Sequence, residues 1–169
     1  MRETGSGKGT GRDMNSTLFM GFKGKNNLSC VLAGQLSREC CLLTNSFSGV
    51  KKDIESIDTA YDCVILFGID RNLAGTVRIE RTAEMDGIRY SSVLELEKAA
   101  EAFHAAGLAA VISEAPTAYL CNEAYGHLLR KFSGRAVLIH IPTMKNAGEG
   151  FAERVQQALG SFEAEVHRV

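Results

Sequence analysis

From Ser16 onward the chain alternates short apolar runs with stretches whose apolar residues recur at helical spacing. Thr17 to Met20 reads as a strand, Asn27 to Leu36 as a helix, Cys40 to Thr44 as a strand, Val50 to Ile57 as a helix and Cys63 to Phe67 as a strand. Val93 to Ala106 then repeats apolar residues with a helical period up to Gly107. Leu108 to Ile112 is a predicted strand, Cys121 to Phe132 a helix, Ala136 to His140 a strand and Gly148 to Leu159 the last helix. Strands separated by helices predict a sheet covered on both faces, and the unbroken run Cys63-Val64-Ile65-Leu66-Phe67 suits a strand buried on both sides. The expected fold class is α/β: a single three-layer α/β/α domain over 16–169 with a mostly parallel central sheet, preceded by a flexible leader over 1–15. There is no internal repeat and no linker.

Composition narrows the function classes. At 169 residues and 18.3 kDa the chain is long enough for one well-buried core. With 45% hydrophobic residues, 23% charged and a net charge of -1, it reads as an ordinary globule with no electrostatic pull toward nucleic acid or a membrane surface. No apolar run nears the roughly 18 residues of a membrane span. The five cysteines are Cys30, Cys40, Cys41, Cys63 and Cys121; an odd count without a Cys-x-x-Cys pair predicts a reducing, cytoplasmic setting and no metal site. The glycine-rich stretch around Lys8 lacks the flanking strand, the Gly-Lys-Ser/Thr run and the helix of a phosphate loop, and no apolar signal core precedes it; Met14 offers an internal start.

In doubly wound folds, function collects in loops beyond the carboxyl ends of strands. The loops after Met20, Phe67, Ile112 and His140 therefore matter most. Cys121 opens a helix, where the macrodipole and free N–H groups are expected to favour a thiolate. His140 ends an apolar strand on the same rim, and Glu80 offers a carboxylate to orient an imidazole. Each has a plainer reading when taken alone: buried filler, a satisfied structural histidine, a surface Glu between two arginines. The other four cysteines read as core, and His104, His127 and His167 as solvated surface.

Gly21-Phe22 with Asn27-Leu28-Ser29, then Tyr61-Asp62-Cys63-Val64-Ile65-Leu66-Phe67-Gly68, Glu80-Arg81-Thr82-Ala83, Thr117-Ala118-Tyr119-Leu120-Cys121-Asn122 and Ile139-His140-Ile141-Pro142 form an ordered series. This series resembles the landmarks of pyroglutamyl peptidase I, the pyrrolidone-carboxylate peptidases, over roughly Ser16 to Ala158. The resemblance implies Cys121 as nucleophile, His140 as general base and acid, and Glu80 as the carboxylate that orients the imidazole. It also implies Arg89 as oxyanion support, and Phe22, Asn27, Ile69 and Tyr119 around the substrate. The implied activity is removal of an N-terminal pyroglutamyl group from a peptide or small amide by thiol acyl transfer, which requires neither metal nor organic cofactor.

Departures from the family bear on the substrate. The first loop, Gly-Phe-Glu-Pro-Phe in the family, is Gly21-Phe22-Lys23-Gly24-Lys25 here, and the neutral loop after the third strand becomes Gly68-Ile69-Asp70-Arg71-Asn72. Pro116 stiffens the segment before the cysteine. The spacings from Glu80 to Cys121 and from Cys121 to His140 are compressed, and the first of these regions helps make subunit contacts in the family, so a homo-oligomer stays open. Two alternatives stand beside the peptidase reading. In one, the same trio acts on a charged acyl group selected by Lys23, Lys25, Asp70 and Arg71. In the other, a catalytically silent relative serves as a binding module.

Overall fold

The computed structural model describes residues 16–36 and 40–168; the leader over 1–15, with Lys8 and Met14, lies outside the described residues. In chain order the elements are β1 (Thr17–Phe22), α1 (Leu28–Leu36), β2 (Cys41–Leu43), α2 (Phe47–Glu55), β3 (Cys63–Ile69), β4 (Thr76–Glu80), β5 (Thr82–Met85), β6 (Ile88–Ser91), α3 (Leu96–Ala105), β7 (Ala109–Ser113), α4 (Leu120–Lys131), β8 (Ala136–Ile141), α5 (Met144–Ala147) and α6 (Phe151–Val166). Six strands form one sheet in the order β2-β1-β3-β8-β4-β7, while β5 and β6 form a separate hairpin.

The strands of β3 and β8 are apolar on consecutive positions because both faces of the sheet are covered. On one face Ile65, Phe67, Val137 and Ile139 pack with Leu32 of α1, Phe103 of α3 and Phe162 of α6. On the other, Val64, Leu66 and Leu138 pack with Val50 and Ile54 of α2 and Leu128 of α4. Each such side chain, fully buried, contributes roughly 1.5–3 kcal/mol of hydrophobic free energy. The three-layer α/β/α architecture read from the sequence is the one found.

Strand direction departs from that reading at two positions. β1, β2, β3 and β8 are mutually parallel, but β4 is antiparallel to β8, and β7 is parallel to β4. The link over 70–75 is too short to recross the sheet, since a parallel return needs a dozen or more residues. β4 therefore starts at the edge where β3 ends and runs the other way. The carboxyl end of β7 consequently faces the edge opposite the expected rim, and it is the segment over 114–119 that returns the chain to the start of α4.

Element boundaries moved for local reasons. α2 starts at Phe47, three residues before the expected Val50, because Ser46 Oγ caps it, accepting from the Gly49 N–H at 3.0 Å. α6 starts after Gly148 and Gly150, both with positive φ, and runs on to Val166 because Phe151, Val155, Leu159 and Phe162 stay in helical phase on the core. β4 and the β5–β6 hairpin lack any long apolar run. The hairpin turn does carry a sequence signal, Asp86-Gly87, both with positive φ, as a tight two-residue hairpin requires.

Candidate active site

Register across the sheet sets the site. Gly68 of β3 pairs with His140 of β8, and on the other side of β8 the reversed β4 sets Arg78 opposite His140 and Glu80 opposite Leu138. Alternation along β4 puts Arg78 and Glu80 on the same face. His140 is buried and Glu80 is 1% exposed. The imidazole Nδ1 lies 2.8 Å from Glu80 Oε1. An ionised carboxylate can only accept, so Nδ1 carries the proton and donates it, leaving Nε2 as a free acceptor.

Cys121 comes from the first turn of α4 to the same spot. A Cβ built on Gly68 would lie 2.8 Å from Cys121 Sγ, 3.1 Å from His140 Cδ2 and 3.2 Å from His140 Nε2. The thiol and the free ring nitrogen therefore flank one small volume, kept open because residue 68 has no side chain. The structure thus brings Cys121, His140 and Glu80 together, with the sulfur on the Nε2 side of the ring and the carboxylate on the Nδ1 side. Tyr125, fully buried on α4, donates its hydroxyl to the Glu80 carbonyl at 2.7 Å and ties the helix to β4.

The electrostatics correct the expectation of a favoured thiolate. Burial pushes the Cys121 thiol up to about 11; its own backbone N–H works the other way, while the nearby Glu80 and Asp70 charges add to the rise. The helix N-terminus does not prevail over desolvation and two carboxylates. The N–H groups of the helix start are also partly committed, since Asn122 N–H donates to the Tyr119 carbonyl at 2.9 Å.

One residue that the sequence reading passed over completes the cluster. Arg78 donates Nε–H to Glu80 Oε1 at 2.6 Å and Nη1–H to Asp70 Oδ2 at 2.7 Å, and its Nη2 lies 3.3 Å from His140 Nδ1. Burial opposes the Glu80 charge, but the hydrogen bonds from His140 and Arg78 outweigh it and hold the carboxyl below its usual range. For Asp70, burial is likewise outweighed, by the Asn72 N–H and by Arg78. Glu80 Oε2 is buried with no hydrogen-bond partner.

The remaining predicted site residues are placed differently. Arg89 sits on β6, half exposed, with its guanidinium 3.8 Å from Glu84; among the described residues no hydrogen bond or ion pair joins it to the cluster. Phe22 is buried in the core between the sheet and α2 and α4, where it helps fill the interior. Asn27 accepts from the Ser29 N–H at 2.9 Å and the Ser29 hydroxyl at 2.6 Å, so its carbonyl oxygen caps the start of α1. Tyr119 is 78% exposed at the start of α4. Ile69 and Asn27 border an open groove of about 390 Å³ that continues along Lys25, Asn26, Arg71 and Thr143, the loops beyond the carboxyl ends of β1, β3 and β8. Of the other thiols, Cys63 is buried as expected, Cys30 and Cys41 are half-buried, and Cys40 is exposed, because β2 begins only at Cys41. His127 is buried on α4, contrary to expectation, and burial lowers its pKa. Among the described residues no group of three His, Cys, Asp or Glu could hold a metal ion, and no helix is long and apolar enough to cross a membrane.

No family model matches the chain, and no curated protein matches it by sequence. Solved structures do. The pyrrolidone carboxyl peptidase from Thermococcus litoralis superposes with a TM-score of 0.71 at 20% identity, over 90% of this chain and 93% of that one. Pyroglutamyl peptidase I from Bacillus amyloliquefaciens gives 0.72 at 18% identity, over 89% and 95%. The pyrrolidone carboxyl peptidase of Pyrococcus furiosus gives 0.72 at 18% identity, over 90% and 98%. The chain therefore has the fold of the pyroglutamyl peptidases.

Proposed function

We propose that the chain is a divergent pyroglutamyl peptidase, a cysteine hydrolase that removes an N-terminal pyroglutamyl group from a peptide or small amide. The observation that carries this reading is the open volume above Gly68, flanked by Cys121 Sγ and the free Nε2 of His140, with Nδ1 bonded to a buried Glu80. A thiol held near 11 is the resting form. Deprotonation is therefore coupled to attack: Nε2 takes the thiol proton as Sγ adds to the carbonyl carbon, and Glu80 stabilises the imidazolium that results. The imidazolium returns that proton to the departing amine as the C–N bond breaks. Water, deprotonated by the same Nε2, then adds to the thioester; the C–S bond breaks, the imidazolium returns that proton to Sγ, and pyroglutamate leaves. Proton transfer by a positioned group supplies about 10²–10⁴-fold of rate in such reactions.

The test is release of a fluorescent amine from a pyroglutamyl amide under reducing conditions, with wild type and Cys121→Ser side by side. Turnover that disappears in the variant supports the reading; no turnover in wild type refutes it. A second reading, in which the same trio acts on an acyl group carrying a carboxylate, is favoured by the groove beside Ile69, whose lining includes Lys25 and Arg71 and no acidic side chain. Hydrolysis of glutaryl or γ-glutamyl amides in the absence of pyroglutamyl hydrolysis would select it.

A further inference from the structure

The cluster holds two charged residues, Arg78 and Asp70, that the reaction just described does not use. Arg78 and Asp70 are each about three-quarters or more buried at the side chain, with exposures of 24% and 17%. Their geometry is directional. Glu80 Oε1 receives both the His140 Nδ1–H and the Arg78 Nε–H, while Oε2 receives nothing. Asp70, itself fixed by the Asn72 N–H at 2.8 Å, anchors the far arm of the guanidinium.

We propose that Arg78 is a positioning residue that keeps Glu80 ionised and thereby fixes His140 in the tautomer whose Nε2 faces Cys121. The proposal rests on the hydrolase reading only for what the tautomer is used for, and concerns the ring itself otherwise. The Nη2 arm shows why the ionisation of Glu80 decides the matter. With Glu80 charged, Nδ1 must carry a proton, and the 3.3 Å approach of Arg78 Nη2 is a contact between two N–H groups. With Glu80 neutral, Nδ1 no longer has to donate and can instead accept from Nη2. The proton then moves to Nε2, where it faces the thiol and blocks its deprotonation. Arg78 thus disfavours the wrong state by supporting the Glu80 charge, and Asp70 prevents the guanidinium from swinging onto the ring.

Among the described residues, the charged and titratable groups that enter this balance are His140 from β8, Arg78 from the same strand as Glu80, Asp70 beyond β3, and from α4 the Cys121 thiol and the Tyr125 hydroxyl, the latter on the Glu80 carbonyl. Arg81, the next residue along, faces away and pairs with Glu97 and Glu114. Removing Arg78 deletes the one Lys or Arg that, among the described residues, touches the carboxylate.

The experiment reads the ring directly. Nitrogen-15 shifts of the His140 side chain report which nitrogen is protonated, and the Glu80 carboxyl carbon reports its own titration, both independent of turnover. Wild type is expected to hold the Nδ1–H form at neutral pH. Arg78→Gln is expected to move the Glu80 midpoint upward by about one unit, a tenfold change in the protonation equilibrium, and to raise the share of the Nε2–H form among uncharged rings. Arg78→Lys, which keeps a charge but loses the fork, is expected to recover part of the midpoint shift. Asp70→Asn, which leaves the Arg78–Glu80 bond in place but releases the far arm of the guanidinium, is expected to let Nη2 turn onto the ring and raise the share of the Nε2–H form, and it serves if Arg78→Gln does not fold. Unchanged midpoint and tautomer in the folded variants overturn the proposal. Where pyroglutamyl turnover is present, kcat is expected to fall about tenfold with KM little changed. A wild type without that turnover but with the expected ring signatures would remove the substrate reading and leave the role of Arg78 standing.

Discussion

Replacing Gly68 with alanine adds one methyl group at the point where the two reacting groups meet. The backbone accepts it, because Gly68 is not among the glycines with positive φ. The space does not. The new carbon would lie 2.8 Å from Cys121 Sγ and 3.1–3.2 Å from the His140 ring, against ordinary carbon contacts of about 3.5–4.0 Å. The sulfur must retreat by roughly an ångström. The ring has less freedom, since its far side is bonded to the buried Glu80 at 2.8 Å. Overfilling a packed site costs about 1–3 kcal/mol of stability, and displacing reacting groups by about 1 Å costs on the order of 10²-fold in rate. The assay is kcat/KM on a fluorogenic pyroglutamyl amide beside urea unfolding of the same samples. A Gly68→Ala protein that is as stable as wild type, or within about threefold of its kcat/KM, a difference under about 0.7 kcal/mol, would show that the space above residue 68 is not filled by the reacting groups.

Four further outcomes are expected. Because the thiol at residue 121 is held up near 11 while Cys40 is exposed, limiting iodoacetamide at pH 7–8 labels Cys40 ahead of Cys121, and the Cys121 rate keeps climbing beyond about pH 10; peptide mapping that finds a plateau near neutrality would show a preformed thiolate. Tyr125→Phe strips the buried Glu80 carbonyl of its hydroxyl donor and costs about 1–3 kcal/mol in urea unfolding, so a loss near zero refutes that role. Glu80 and Asp70 both have folded pKa values below their unfolded ones, so the stability they add is fully present above about pH 5 and drains as pH falls through the folded values; equal unfolding free energies at about pH 6 and pH 3 contradict this. Gly160→Ala, in the middle of α6 with nothing within 4 Å of the added carbon, raises the urea midpoint by an amount equivalent to about 0.5–1 kcal/mol.

How far the site could be read from the sequence follows from where its information lies. β3 and β8 are legible because strands buried on both faces must be apolar at every position, and Cys121 and His140 stand out because each interrupts such a pattern near the end of an element. Arg78 does not stand out. In Thr76-Val77-Arg78-Ile79-Glu80 the apolar residues alternate with polar ones, which reads as a half-exposed strand or a surface run, yet the polar face is the one turned onto His140. Its meaning comes from β4 running antiparallel to β8, and that direction is fixed by the shortness of the 70–75 link together with the strand order, not by residues 76–80 themselves. The same holds for the thiol. A cysteine at a helix start is a local feature and argues for a lowered pKa, whereas the burial and the two carboxylates that raise it arrive from β3, β4 and β8. Local pattern therefore locates a nucleophile and a base, while their protonation is set by pairing across the sheet. For that reason substitutions at Arg78 and Asp70 test this site more sharply than further substitutions at Cys121.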